Sequence, residues 1–280
     1  MDINWFPGHM AKTRREIKEN LKLVDAVIEI RDARIVKSSA NPEIEEICKG
    51  KPRIILLNKS DLAEEKVTNA WIKELSRENI KVIQANSTTG QGLKNIKPIL
   101  ELLLKEKLER LKNKGVVNIT TRVMVVGIPN VGKSSFINKI AKGNRAKTGD
   151  RPGVTKSRQW IKTKLGIELM DTPGVLWPKF EDPQVGMNLA FTGAIKDEIM
   201  NIEDLALELI KTLQGSYGNR IIERYKLESL SEDALENMNS IAIKRGAVMA
   251  GGNIDYTRIA ITILDEFRGG KLGKISLETP

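Results

Sequence analysis

The chain has 280 residues, 40% apolar and 29% charged, which is ordinary for roughly two folded domains and excludes a disordered chain or a small disulfide-stapled scaffold. Lysine and arginine total 46 against 36 aspartate and glutamate, a formal net charge of +10, and that sign points to a polyanionic partner, with nucleic acid ahead of a membrane surface. The single cysteine, Cys48, excludes an internal disulfide and a cysteine-rich zinc site, reads as a small buried apolar residue, and fits a reducing, cytoplasmic compartment.

The opening residues lack the apolar core of a signal peptide, and no uninterrupted apolar run approaches the roughly 18 residues of a spanning helix, so neither export nor a membrane span is expected. From residue 10 to 23, Lys12, Arg14, Arg15, Lys18 and Glu19 alternate with Ile17, Leu21 and Leu23, predicting an amphipathic helix with a basic face. Strand-length apolar runs follow at 26–30, 53–57 and 82–85, with helical patterns at 42–49 and 64–78 between them. Alternating strands and helices predict a parallel sheet.

Residues 93–114 read as one long helix with Ile96, Ile99, Leu100, Leu103 and Leu104 on one side, bridging two halves. Beyond it a strand is predicted at 122–126, a helix at 133–141, and a strand pair at 160–164 and 168–171, for a sheet of about six strands. After Pro183 the texture is helical without convincing strands, with helices at 202–213, 231–245 and 255–268. An α/β domain over residues 1–180 followed by an all-helical domain over 181–280 is therefore expected, with no internal repeat and no low-complexity tract.

The strongest local signal is Gly127-Ile128-Pro129-Asn130-Val131-Gly132-Lys133-Ser134. It matches G-x-x-x-x-G-K-[ST] and sits between a predicted strand and a predicted helix, as a phosphate loop requires. The glycines let backbone N–H groups close around phosphates at a helix N-terminus, where the helix dipole also favours negative charge. Asn130, Val131, Gly132, Lys133, Ser134 and Ser135 are the expected phosphate-side contacts, with Lys133 neutralising the β- and γ-phosphates and the Ser134 hydroxyl a ligand for Mg²⁺. After the last predicted strand, Asp171-Thr172-Pro173-Gly174 offers a carboxylate to the Mg²⁺ shell through water and the Gly174 N–H to a γ-phosphate. Between the two lies a basic loop, residues 142–158, in which Thr155 is the natural second hydroxyl for Mg²⁺ and the loop a switch candidate.

Base identity is expected from Asn58-Lys59-Ser60-Asp61 at the end of the second strand. The Asp61 carboxylate accepts from guanine N1–H and N2–H₂, a donor pair that adenine lacks, so the wrong base leaves a buried charge unpaired. The Asn58 amide would tie the base edge to the phosphate loop, the Lys59 stem would lie across the ring, and Asn86-Ser87 would offer a backbone N–H to guanine O6.

In ordinary GTPases the phosphate loop precedes N-K-x-D, whereas here it follows. The first half has strands but no phosphate site, and the second has a phosphate site but no base-reading motif, so a permuted single domain accounts for the order better than two domains. With Asn4-Trp5-Phe6-Pro7-Gly8-His9-Met10-Ala11-Lys12 at the start, Arg31-Asp32-Ala33-Arg34 after the first strand, and Phe267-Arg268-Gly269-Gly270-Lys271-Leu272-Gly273 near the end, the chain resembles the ribosome biogenesis GTPase A family from end to end. The resemblance implies a circularly permuted Ras-like GTPase domain and a C-terminal helical RNA-binding domain, acting as a monomer in assembly of the large (50S) ribosomal subunit and contacting its rRNA. Asn86-Ser87 departs from the Ser-Ala of many relatives, a change that a backbone contact tolerates.

Val175 and Leu176 follow Gly174 where a Ras-like enzyme carries a water-orienting glutamine, so slow intrinsic hydrolysis, stimulated by a partner, is expected. The resemblance makes His9, the chain's one histidine, a candidate for the missing group, with an RNA or surface contact as the other reading. It also makes Asn130 a candidate K⁺ ligand, with potassium stimulation the consequence. Lys142, Arg145, Lys147, Arg151, Lys156 and Arg158 around the switch, and Lys244, Arg245, Arg258, Arg268, Lys271 and Lys274 on the C-terminal helices, suit phosphate contacts to structured RNA. Aromatics are only 4% of the chain, too few for base stacking to dominate. Two functions remain open: a GTPase released from the maturing subunit on hydrolysis, and an RNA-binding scaffold for which GTP is chiefly a structural ligand.

Overall fold

The apolar runs become strands, and the central ones are sealed on both faces. In the computed structural model, which describes residues 10–142, 160–177 and 180–280, β1 (Ala26–Asp32) and β2 (Arg53–Asn58) are buried along their whole length. That is the pattern of parallel strands covered by helices on both sides. β3 (Ile80–Gln84), β4 (Thr121–Val126), β5 (Trp160–Lys162) and β6 (Ile167–Asp171) complete a six-stranded sheet of order β3-β2-β1-β4-β6-β5. All neighbours run parallel except β5 and β6, and Val27 of β1 faces Arg53 on one side and Met124 on the other. β4 thus stands between β1 and β6, which lie far apart in sequence. The loops after β1, β2, β3, β4 and β6 all leave the sheet at its carboxyl edge, where open α/β sheets bind ligands.

Asn41 opens α2 (Pro42–Ile47) as its N-cap, accepting from the Glu43 and Ile44 N–H groups with a proline at the first helical position. α1 (Met10–Asn20) lies beside it: Ile17 is buried and Arg14 pairs with Glu43 at 3.0 Å. α3 (Glu65–Leu75) sets Trp71 into a cluster with Ala33, Val36, Leu57 and Val82. The helix expected over 93–114 is instead two, α4 (Ile96–Leu103) and α5 (Lys105–Asn113), broken at Leu104 with φ −106° and ψ 11°. A one-residue departure leaves the i, i+4 spacing of the leucines intact, so periodicity could not reveal it. α4 buries Ile96 and Leu100, while α5 has no buried residue. α6 (Lys133–Ile140) anchors the loop before it by burying Phe136, Ile137 and Ile140.

Residues Met1–Phe180 with Glu278–Pro280 form one unit, and Glu181–Leu277 a second. The second is built of α7 (Pro183–Phe191), α8 (Ile202–Tyr225), α9 (Ala234–Arg245) and α10 (Tyr256–Arg268). Asp182, Asn201, Asp233 and Asp255 cap their N-termini by accepting backbone N–H bonds. The helix expected to stop at Leu213 runs on through Gly215 and Gly218 with one non-helical residue, Tyr217. Tertiary burial of Ile221 and Tyr225 overrides the glycines, which weaken local propensity. Glu266 holds this unit together, accepting from Arg224 at 2.7 and 2.9 Å and from Arg245 at 3.0 Å. Among the described residues no helix is long and apolar enough to cross a membrane.

Candidate active site

Residues 127–134 leave β4 and turn directly into α6, with Gly132 at φ +95° as its N-cap. A Cβ on Gly132 would collide with Nδ2 of Asn58, so the close approach and the positive φ both demand glycine. No side chain caps α6. Its first-turn N–H groups, with Ser134 and Ser135 exposed beside them, are therefore available to an anion. The Lys133 ammonium folds back to donate to the carbonyls of Ile128 at 3.0 Å and Gly127 at 3.2 Å. Burial pulls its pKa down to about 8, with Asp171 opposing.

The segment after β6 passes against this loop. A Cβ on Gly174 would stand 2.8 Å from the Lys133 ammonium and 3.0 Å from the Pro129 nitrogen. Thr172 Oγ1 donates to the Val125 carbonyl at 2.7 Å, tying the turn to β4. Burial raises the Asp171 carboxyl above its ordinary value, with Lys133 opposing. Val175 and Leu176 point inward, 4% and 1% exposed, so neither offers a side chain to solvent. Asn41 donates its amide to the Val175 carbonyl at 2.9 Å, linking α2 to this turn.

The base-reading motif meets the phosphate loop from the other side. Asn58, at the end of β2, donates to the Val131 carbonyl at 2.7 Å and accepts from the Ser87 N–H at 2.9 Å. The Lys59 ammonium donates to the Asn130 carbonyl at 2.8 Å and pairs with Asp32 at 3.1 Å. Ser60 binds the Ala85 carbonyl through its hydroxyl at 3.0 Å, and Asp61 stands exposed in the turn that follows. Asn58, Lys59, Ser87, Asn130, Val131, Gly132, Lys133 and Gly174 are thus gathered at one end of the sheet. One detail differs from the expectation: the Ser87 N–H is given to Asn58, and that of Asn86 to the Gln91 carbonyl at 3.1 Å. A buried Asn58 needs its own oxygen satisfied. The buried Ser87 hydroxyl, by contrast, has no hydrogen-bond partner among the described residues.

His9 and Thr155 lie outside the described residues, as do Arg145, Lys147, Arg151, Lys156 and Arg158. The Arg31-Asp32-Ala33-Arg34 motif, seen in the sequence only as a likeness, is packed against the site: Asp32 and Arg34 are each 1% exposed and paired at 2.9 Å. Burial alone would raise the Asp32 carboxyl, but Arg34 and Lys59 outweigh it and hold it well below the usual carboxylate range. Cys48 is buried, and burial pushes its thiol up to about 12.

Comparison with known proteins accords with this geometry. A family described as "50S ribosome-binding GTPase" matches residues 122–242. Ribosome biogenesis GTPase A of Bacillus cereus is 50% identical over 280 residues, covering 100% of this chain and 95% of that protein. The protein of the same name from Bacillus licheniformis is 51% identical, with 100% and 99% covered. The crystal structure of GNP-bound YlqF from T. maritima is 28% identical with a TM-score of 0.68, over 96% of this chain and 98% of that one. The chain belongs to the ribosome biogenesis GTPase A family, and is a circularly permuted, GTP-binding GTPase of ribosome assembly.

Proposed function

We propose that the protein binds the maturing large (50S) ribosomal subunit and its rRNA in the GTP state and leaves on hydrolysis, acting as a cytoplasmic monomer. The observation that supports the nucleotide part of this reading is the double hydrogen bond of Asn58, which joins the base-reading motif to the phosphate loop; the ribosomal part is supported by the likeness to ribosome biogenesis GTPase A of Bacillus cereus. In this reading the GTPase domain is residues 1–180 and the helical domain, 181–280, supplies RNA contacts through Lys244, Arg258, Lys271 and Lys274, while Arg245 and Arg268 of the expected set are engaged by Glu266 and Asp197.

Asp61 selects guanine, Lys59 lies along the base, and Asn86 and Ser87 close its far edge, where the orphaned Ser87 hydroxyl is a further donor. Asn130, Val131, Gly132, Ser135 and Gly174 hold the phosphates. Lys133 exchanges its two loop carbonyls for phosphate oxygens, a stronger partner for a buried cation. The residues fit Mg²⁺ as part of a nucleotide complex. Among the described residues no group of three or more His, Cys, Asp or Glu side chains could hold a metal alone; with a nucleotide bound, Ser134 at the start of α6 would ligate the ion and Asp171 would hold it through water, with Thr155 assigned as the second hydroxyl. Mg²⁺ there would neutralise charge on the β- and γ-phosphates. Asn130, at φ +58° and exposed in the loop, is the residue to hold K⁺, which would supply the positive charge that an arginine gives elsewhere. His9 is assigned to the attacking water.

The inward-facing Val175 and Leu176 favour a second reading, an RNA-binding scaffold that turns GTP over little. The test is GTP turnover in K⁺ and in Na⁺ buffer, with and without purified large subunits, for the parent and for His9→Ala. Strong acceleration by subunits in K⁺, lost in His9→Ala with GTP binding retained, is expected. Subunit binding without acceleration would favour the scaffold and remove His9 from the chemistry.

A further inference from the structure

We propose that Asp32 is a positioning residue for nucleotide binding that acts by holding Lys59. The inference rests on reading Lys59 as a contact to the guanine base.

Asp32 ends β1 and is 1% exposed. Arg34, equally buried, donates Nε to Oδ1 at 3.0 Å, Nη2 to Oδ2 at 2.9 Å and its backbone N–H to Oδ1 at 3.1 Å. That bidentate pair already neutralises the buried carboxylate, so burial alone requires no second cation. Yet Oδ2 also takes the Lys59 ammonium at 3.1 Å. The same ammonium reaches the Asn130 carbonyl at 2.8 Å, and the Lys59 backbone holds the left-handed conformation, φ +56°.

Lys59 is therefore fixed at both ends: its Cα by an unusual backbone conformation, its Nζ by a buried carboxylate and a phosphate-loop carbonyl. A free lysine side chain would have to be ordered when the base arrives. Here much of that ordering precedes binding, and the saving appears as affinity. Asp32 touches no nucleotide atom in this account. Its effect passes wholly through Lys59, and that makes the idea separable from a role in folding.

The experiment uses the full chain and a fluorescent GDP. Affinity and dissociation rate are measured for the parent, Asp32→Asn, Lys59→Met and the double variant, together with KM and kcat for GTP. Each single change is expected to weaken GDP by about tenfold, and the double variant to be no weaker than Lys59→Met. For Asp32→Asn, KM should rise while kcat at saturating GTP stays within about twofold. If Asp32→Asn costs the same affinity with and without Lys59, or costs none while Lys59→Met does, Asp32 is structural and the inference is wrong. If Lys59→Met itself leaves GDP affinity unchanged, the base-contact reading of Lys59 fails and takes the inference with it. Should Asp32→Asn fail to fold around the orphaned guanidinium, Asp32→Asn combined with Arg34→Met removes both buried charges. It is compared in the same way, with and without Lys59→Met, with the same outcomes deciding.

Discussion

Asn58 donates to the Val131 carbonyl across 73 residues of sequence, at 2.7 Å, and with its other side-chain atom accepts from Ser87 at 2.9 Å. A single amide holds three loops in one place. Asn58→Ala would leave the Val131 carbonyl and the Ser87 N–H unsatisfied in a buried setting, which costs about 1–3 kcal/mol per group. Unfolding free energy by chemical denaturation is expected to fall by about 2–6 kcal/mol, and GDP binding by calorimetry to weaken at least about tenfold. An unchanged denaturation midpoint would contradict the structural role.

Two glycines make a paired test of backbone geometry. Gly132→Ala meets both a positive φ and Asn58, and should cost about 1–3 kcal/mol of stability along with GTP turnover. Gly215→Ala, in α8 with open space around it, should instead stabilise by about 0.5–1 kcal/mol. Thermal melting of the two variants side by side decides, and a loss in both would sink the distinction.

Lys133 sets a pH dependence. Its folded pKa, about 8, lies below the 10.5 of a free lysine. Below about pH 8 both states are protonated and the folded state bears the full cost of the buried charge. Between about 8 and 10.5 the unfolded chain keeps a proton that the folded one has released, so stability rises with pH. Relative to Lys133→Met, the parent should gain up to about 3 kcal/mol across that window. Parallel stability curves for the two proteins would show that the ammonium is not desolvated.

In the helical unit, burial would raise the Glu266 carboxyl, but Arg224 and Arg245 outweigh it and hold it below its ordinary value. Its stabilisation is therefore present above the unfolded carboxylate pKa and is lost as pH falls through the lower folded value. Glu266→Gln should lower stability by about 2 kcal/mol at neutral pH, less than for a fully buried pair because both arginines are partly exposed. The gap to the parent should close in acid, as denaturation at pH 7 and pH 3 would register.

Local chemistry was legible in the sequence. Glycine spacing between a strand and a helix marked residues 127–134, the apolar runs marked the strands, and the reversed order of two incomplete motif sets marked the permutation. Each of these depends on residues close along the chain. Helix continuity depends on packing, so the break at Leu104 and the passage of α8 through Gly215 and Gly218 were hidden from periodicity. The seating of α1 beside α2 likewise rests on packing, through the buried Ile17 and the Arg14 and Glu43 pair. The sequence by itself marked the residues proposed to bind a guanine nucleotide. The tie from Asn58 to the phosphate loop was an expectation of its motif, whereas only the strand pairing of the sheet decided that Asp32 would reach Lys59 and Asn41 would reach Val175. Such partners are chosen by long-range strand pairing, which local propensity does not encode.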